Sequence, residues 1–357
     1  MDHYRHYRRS RYYRSRHNHY KSSSFLFLLS LFISVFAPTT SVDVINTIIM
    51  AAASVNAVQL EGKRVLVTGA GRGIGRAIAL ICHEEGAKVA ISSRTREELE
   101  ETVALALSKK QQEQQQQQQA SSSSSSSSSS ICHDTDRRMD LYVADVTKKN
   151  DVDDMVQKIT DTWGGIDIAI NNAGGSQGPK GNVDELQDDQ VLSNLLSLNV
   201  IGPHIVTSSV VRLAMATNKN GNDHDDDSHV RGQILNISSK AGKVGLPSMS
   251  FYVASKFALE GMTSSWSKEL KDRQITVNSI SPGMVDTKSF PKAPGKPGVR
   301  SAESIRDCLL FALSTTSQSM EYTGHYVHVD EFDRVKELGL PDVRAWKPID
   351  EQPFNLS

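Results

Sequence analysis

The chain has 357 residues, a formal net charge of −1 and 38 % hydrophobic residues, enough for one large or two ordinary domains. A balance this close to neutral argues against nucleic acid as the main partner. Three widely spaced cysteines, Cys82, Cys132 and Cys308, build neither a disulfide framework nor a zinc site, and Cys82 and Cys308 read as small buried hydrophobes within helical patterns.

The average conceals a basic N-terminus, where Arg5, Arg8, Arg9, Arg11, Arg14, Arg16 and Lys21 precede the apolar run Phe25–Ala37. That run of roughly 13 residues falls short of the ~20 a membrane span needs and matches the apolar region of a secretory signal, with Val35 and Ala37 as small residues before a cleavage point. Phe36, Ala37 and Pro38 resemble the junction that opens a plastid transit segment in algae with secondary plastids. A competing reading starts translation at Met50. Residues 1–49 are therefore expected to be either a leader for entry to the secretory pathway (endoplasmic reticulum or complex plastid) or an extension ahead of a cytoplasmic protein. No stable transmembrane span is expected in the mature chain.

From Glu61 to Asp330 short apolar strands alternate with helices, which predicts a single doubly wound, Rossmann-like α/β domain: a seven-stranded parallel sheet with helices on both faces. The first strand ends at Thr68 in a turn holding Gly69, Gly71, Gly73 and Gly75, and a helix follows through Ile74, Ile78 and Ile81. Strand, glycine turn and helix in that order offer backbone N–H groups and a positive helix end to a phosphate, and glycine keeps side chains off the ligand. A tight connection without a ligand would use the same residues. A second strand, Lys88–Ser92, leads to a helix opening on Glu97 and Glu98 and ending near Ser108. A glutamine and serine tract follows, so a disordered insertion is expected at about 109–138. A third strand begins at Leu141, a helix covers about Asn150–Thr162, and a fourth strand, Ile166–Ile170, enters Asn171–Gly174.

A long helix is expected over Asp188–Met215, then a polar insertion at about 217–230 whose Asp225–Asp227 run lacks the ligand pattern of a calcium loop. Strands at Gln233–Ile237 and Thr276–Ile280 bracket a helix over Phe251–Lys271. Pro291, Pro294 and Pro297 make the following segment a loop, before a helix at Ser304–Leu313 and a last strand at Tyr326–Val329. His325 and His328 fall on opposite strand faces, so no metal site is expected. The tail, residues 331–357, carries no assignable element.

Tyr252 and Lys256 are four apart and share one helix face. An ammonium beside a phenol favours the phenolate. Bringing the phenol from about 10 to near neutrality takes roughly 3 units, about 4 kcal/mol, which a partly desolvated lysine and a second positive charge nearby, that of a nicotinamide if the resemblance described next holds, together supply. The product is a proton donor or acceptor that works near physiological pH. Ser239, at the end of the fifth strand, is placed to hold a substrate carbonyl oxygen, with Ser238 pointing away.

TGAGRGIG at Thr68–Gly75, NNAG at Asn171–Gly174, Asn199 in LNVIG, Ser239 in NISS, YVASK at Tyr252–Lys256 and PG at Pro282 together resemble the short-chain dehydrogenase/reductase family, over about Glu61–Asp330. The resemblance implies an oxidoreductase with Asn199, Ser239, Tyr252 and Lys256 as catalytic residues, Asn199 holding a relay water and Lys256 also binding ribose hydroxyls. It implies cofactor contacts from Thr68, Gly69, Gly71, Arg72, Gly73, Ile74 and Gly75 in the turn, and from Ser93 and Arg94 after the second strand. Asp145 and Val146 follow the third strand, and Asn172, Ala173 and Gly174 the fourth. Tyr252, Lys256, Pro282, Gly283, Val285 and Thr287 complete the set. For Asp145 a plain strand-end cap is the alternative.

An acid at the end of the second strand would grip the adenosine ribose of NAD, whereas NADP needs positive charge there. Ser93, Arg94 and, in the turn, Arg72 stand at that place, with no acid before Glu97, so NADP(H) is the expected cofactor. The expected partners are a small-molecule carbonyl or alcohol and a second copy of the chain, as homodimer or homotetramer. HVDEFD at His328–Asp333 stands where many relatives have a glycine pair, which bears on the tetramer contact. Enoyl thioester reductases are an enzyme alternative, disfavoured by the YxxxK spacing. A non-catalytic cofactor-binding scaffold or redox sensor is the alternative from another class.

Overall fold

The computed structural model describes residues 60–121, 138–176, 178, 180–186, 188–215, 230–288, 291, 297–339 and 347–349. The leader expectation, most of the second insertion and the serine tract lie outside these residues.

The alternating pattern folds as a parallel sheet built from β1 (Arg64–Thr68), β2 (Lys88–Ser93), β3 (Met139–Val143), β4 (Ile168–Asn171), β5 (Gly232–Ile237), β6 (Ile275–Ser281) and β9 (His325–His328). Among these strands the order is β9-β6-β5-β4-β1-β2-β3, so the chain starts in the middle and winds outward both ways. The reversal falls between β1 and β4, where crevices open at the strands' carboxyl ends. An eighth strand, β10 (Lys347–Pro348), pairs antiparallel with β9, so the expected seven parallel strands acquire one short edge from the tail. A separate two-stranded ribbon joins β7 (Met284–Val285) to β8 (Val299–Arg300).

Helices cover both faces and give two apolar layers. Helix α1 (Gly73–Glu84) packs with α7 (Arg306–Gln318) on one face, where Ile78, Ile170, Ile280 and Leu309 are fully buried. On the other, α3 (Lys149–Trp163) and α5 (Gly202–Leu213) bury Val156, Ile159, Val206 and Val210. The long helix expected over Asp188–Met215 is α4 (Asp189–Leu196) and α5 joined by a π-helical turn, Ser197–Ile201. The run is long and apolar enough to cross a membrane by composition, but it packs as a core helix.

Two expectations need correction. Helix α2 (Arg96–Ser121) does not stop near Ser108 but continues into the glutamine tract. Leu99, Thr102 and Ala106 anchor its first turns against the domain; once that nucleus exists, glutamine, a good helix former, propagates it. The described part of the tail also holds a regular element. Helix α8 (Val329–Glu337) buries Val329, Phe332 and Val335, with the Phe332 ring 5.3 Å from that of Phe311. Apolar residues at three-residue spacing were a legible helical stripe that the acidic residues between them obscured.

Candidate active site

Segments following β1, β2, β3 and β4 line one cleft of about 250 Å³. Gly69 and Gly73 have φ of 66° and 56°, the left-handed region glycine favours. Space is the second constraint: a Cβ on Gly75 would lie 2.2 Å from the Gly69 carbonyl oxygen, and one on Gly69 would lie 2.8 Å from Ala173 Cα. These glycines are thus required by the turn's packing on itself and on NNAG, not only by clearance for a ligand. Thr68 is buried behind the cleft; its Oγ1 accepts the N–H groups of Asn172 and Ala173, both at 3.1 Å. Asn172 Nδ2 in turn donates to the carbonyls of Thr68 and Gly69 at 3.0 and 3.1 Å. Thr68 and Asn172 therefore clip the β1 and β4 turns together.

Helix α1 begins with neither a side-chain cap at Arg72 nor an acid in its first turn. Its unsatisfied first-turn N–H groups and positive dipole end stand at a cleft lined by Gly73, Ile74 and Gly75, an arrangement that fits a dinucleotide's pyrophosphate. On the β2 side the lining is Ser93, Arg94, Thr95 and Glu98. Arg94 is exposed. Arg72 is not a free cation: its Nη1 donates to Glu98 Oε1 at 3.0 Å. Sequence reasoning missed Glu98 because its part in the site depends on α2 folding back over Gly71. Thr95, Ala144 and Leu198 are further lining residues it did not name.

Asp145 lines the cleft beside Val146 and also caps its strand, Oδ1 accepting from Thr147 N–H at 3.0 Å and Thr147 Oγ1 at 2.8 Å. Desolvation works against its charge, but those bonds and the positive charges of Arg94 and Lys148 outweigh it and hold the carboxyl below its usual range. Thr287 reaches the cleft opposite Gly73. Pro282 and Val285 are buried and Gly283, at φ 74°, packs near Asp330; none of the three is part of the lining, and the Val285 side chain is turned into the core.

Past the Gly174 end of the cleft stand the expected catalytic residues. Ser239 caps a short 3₁₀ turn, Lys240–Gly242, accepting the Ala241 N–H at 3.1 Å. Its side chain is hydrogen-bonded to that of Tyr252, while Ser238 turns into the interior at 4 % exposure. Helix α6 (Ser250–Glu269) carries Tyr252 and, one turn on, Lys256, whose Nζ lies 5.9 Å from the Tyr252 ring centroid and donates to the Ile237 carbonyl at 2.9 Å. A Cβ on Gly174 would stand 3.9 Å from that Nζ, which places the amine at the cleft's end.

The expected lowering of the tyrosine needs a nicotinamide's positive charge beside Lys256, and in the protein alone the balance runs the other way. Burial pushes the Tyr252 phenol above its ordinary value, with the Ser239 hydrogen bond opposing it. Burial also brings the Lys256 amine down to about 8, with Glu260 opposing. Lys256 is directed at a backbone carbonyl, so its charge does not overcome the desolvation of the phenol. Tyr252 is thereby held protonated, the form a proton donor needs.

Asn199, 1 % exposed in the π-helical turn, accepts from Gly175 N–H at 2.9 Å and donates to Gly175 O at 2.9 Å and Ser255 Oγ at 3.0 Å. Its side chain thus ties the loop after β4 to α6 beside Lys256. Among the described residues no cluster of three His, Cys, Asp or Glu side chains is placed to hold a metal ion.

A family model described as short chain dehydrogenase matches residues 63–132 and 120–296. The chain belongs to the short-chain dehydrogenase family. It is 29 % identical over 291 residues to the 3-oxoacyl-(acyl-carrier-protein) reductase FabG of Thermotoga maritima, covering 76 % of this chain and 98 % of that enzyme. It is 31 % identical over 259 residues to an uncharacterised oxidoreductase of Staphylococcus aureus, covering 72 % and 94 %. A short chain dehydrogenase from Burkholderia cenocepacia, solved in complex with NADP, superposes with a TM-score of 0.58 at 27 % identity over 76 % of this chain and 97 % of that one. This dehydrogenase is accordingly an oxidoreductase with the family's Rossmann-like fold, and its cleft fits a nicotinamide cofactor.

Proposed function

We propose that this dehydrogenase interconverts a carbonyl and a secondary alcohol with NADP(H), Tyr252 serving as general acid and base. The observation that carries the reading is the Ser239–Tyr252 hydrogen bond one helical turn from buried Lys256, past the Gly174 end of a cleft that also bears Arg72 and Arg94. NADPH, when bound, supplies the hydride. Tyr252 gives its proton to the substrate oxygen in reduction and recovers one in oxidation. Ser239 donates to that same oxygen as charge gathers on it. Lys256 holds positive charge behind the phenol and favours the phenolate left after transfer. Asn199 keeps the Gly174–Gly175 backbone against α6, which fixes the distance between cleft and amine.

NADP over NAD is supported by Arg94 and Arg72 at the β2 end, and by the NADP-bound Burkholderia relative. A ketoacyl-type carbonyl is the substrate class supported by the likeness to FabG along nearly that enzyme's whole length. Tyr252→Phe is the test. Turnover of a ketoacyl thioester with NADPH should fall to background while the NADPH dissociation constant, followed by fluorescence, stays within about twofold. Undiminished turnover in Tyr252→Phe defeats the mechanism; tight NADPH binding by the unmodified protein with no turnover across a carbonyl screen supports a scaffold instead.

A further inference from the structure

We propose that Glu260 is a positioning residue for the reaction: a buried carboxylate, one helical turn from Lys256 and paired with Lys243, that sets the charge state of the active-site amine. The inference rests on the role given above to Lys256.

Glu260 lies one turn after Lys256 on α6 and is 3 % exposed. Its Oε2 accepts from Ser279 Oγ at 3.1 Å and pairs with Lys243 Nζ at 3.0 Å, yet its Oε1 is buried with no hydrogen-bond partner. Burying a half-satisfied carboxylate is costly, and an apolar side chain of similar volume would pack there without that penalty. The surroundings are built to bring it close. Gly242 has no room for a side chain: a Cβ there would lie 2.9 Å from Glu260 Cγ and 3.0 Å from the Lys256 carbonyl oxygen. The turn that carries Ser239 is thus pressed onto the stretch of α6 between Lys256 and Glu260. Lys243, the next residue, is clamped from the other side by the Tyr326 ring, 4.6 Å from its Nζ.

Among the described residues the charged and titratable groups around the pair are few. From α6 come Tyr252 and Glu260, from the turn after β5 comes Lys243, and from β9 comes Tyr326, itself faced by Asp330 and Cys308. The sheet beneath offers the Ile237 carbonyl to Lys256 and the Ser279 hydroxyl to Glu260. Lys256 therefore feels one negative neighbour, and that neighbour is partly neutralised by Lys243.

The two ends of this relay must act with opposite sign. Burial alone drives the Lys256 amine down, and Glu260 resists. Removing the carboxylate's charge lets the amine lose its proton at lower pH. Removing Lys243's charge leaves the full carboxylate field on Lys256 and retains the proton to higher pH.

The experiment measures the pH dependence of acetylation at Lys256, read by peptide mass spectrometry, alongside the alkaline limb of kcat/KM for NADPH-dependent reduction. The proteins are the unmodified enzyme, Glu260→Gln, Lys243→Met and the double variant. The expected result is a midpoint moved down by about one pH unit in Glu260→Gln, up in Lys243→Met, and intermediate in the double variant. Midpoints that stay put, or that move in the same direction in both single variants while thermal stability falls, overturn the proposal and leave the pair a packing element. Should Glu260→Gln fail to fold, the comparison of Lys243→Met with the unmodified enzyme decides: Lys243→Met must titrate at the higher pH. Acetylation reports on Lys256 without turnover, so a failure of the proposed reaction shows in Tyr252→Phe and a failure of the relay shows here.

Discussion

The two ends of the cleft use charge in opposite ways. At the β2 end the ionic groups are wet: Arg72 is 49 % exposed against Glu98 at 23 %, and Arg94 is exposed. Past the Gly174 end, on the β5–α6 side, they are dry, with Lys256 at 7 % and Glu260 at 3 %. Charges in water interact weakly and are screened by salt, whereas the same charges in the interior interact strongly and are penalised when left alone. The wet end can therefore choose between cofactors by modest free-energy differences without endangering the fold. The dry end can move protons, at the cost of tolerating almost no change.

The sharpest way to break that contrast is at the dry end. Tyr252→Phe should cut kcat by about 10³-fold, the scale of a lost general acid, while the lost Ser239 hydrogen bond lowers stability by only about 1 kcal/mol because the ring stays. Ser239→Ala should cost about 10²-fold in kcat, as expected for one lost donor to a developing oxyanion. In that variant the phenol also loses the hydrogen bond that opposes burial, so the rising, acid-side limb of the oxidation reaction, which needs the phenolate, should move to higher pH. A limb that stays put would mean Ser239 touches substrate alone.

How far the sequence foretold this contrast depends on the range of the interaction. The i, i+4 spacing of Tyr252 and Lys256 and the strand-turn-helix order at Thr68–Gly75 are local, and both arrived where their spacing put them. The upward shift of the tyrosine in the protein without a cofactor is not legible in the spacing, because desolvation is a property of everything packed around α6. Glu98 and Glu260 were invisible as site residues for the same reason. One meets Arg72 across twenty-six residues of chain, and the other meets Lys243 through a turn that only a glycine at 242 lets settle on the helix. Helix α8, by contrast, was legible in Val329, Phe332 and Val335, but a segment rich in Asp and Glu invited reading as a tail.

Effects at the wet end should be smaller and should leave folding untouched. Arg94→Asp removes a cation beside Asp145 and puts an acid where an adenosine ribose would lie. Preference for NADP(H) over NAD(H), measured as the ratio of kcat/KM values, should fall by about tenfold or more, consistent with loss of one charge-assisted contact and gain of a repulsion. Equal use of both cofactors by the unmodified enzyme would remove the premise.

The smallest effect is the most specific to this geometry. Glu98 holds Arg72 at 3.0 Å, and a phosphate arriving beside Arg72 must compete with that carboxylate and approach its negative charge. Glu98→Gln keeps the shape and withdraws the charge. Because the pair is largely exposed it is worth only about 0.5 kcal/mol, so NADP+ should bind about two- to threefold more tightly, with NAD+ unchanged. The gain should vanish as ionic strength rises toward 0.5 M, since screening erases what an exposed pair contributes. Titration calorimetry at two salt concentrations separates the outcomes. Tightening of both cofactors alike would show that Glu98 shapes the cleft by volume and not by charge, and a gain that survives high salt would place Arg72 in a drier setting than its exposure indicates.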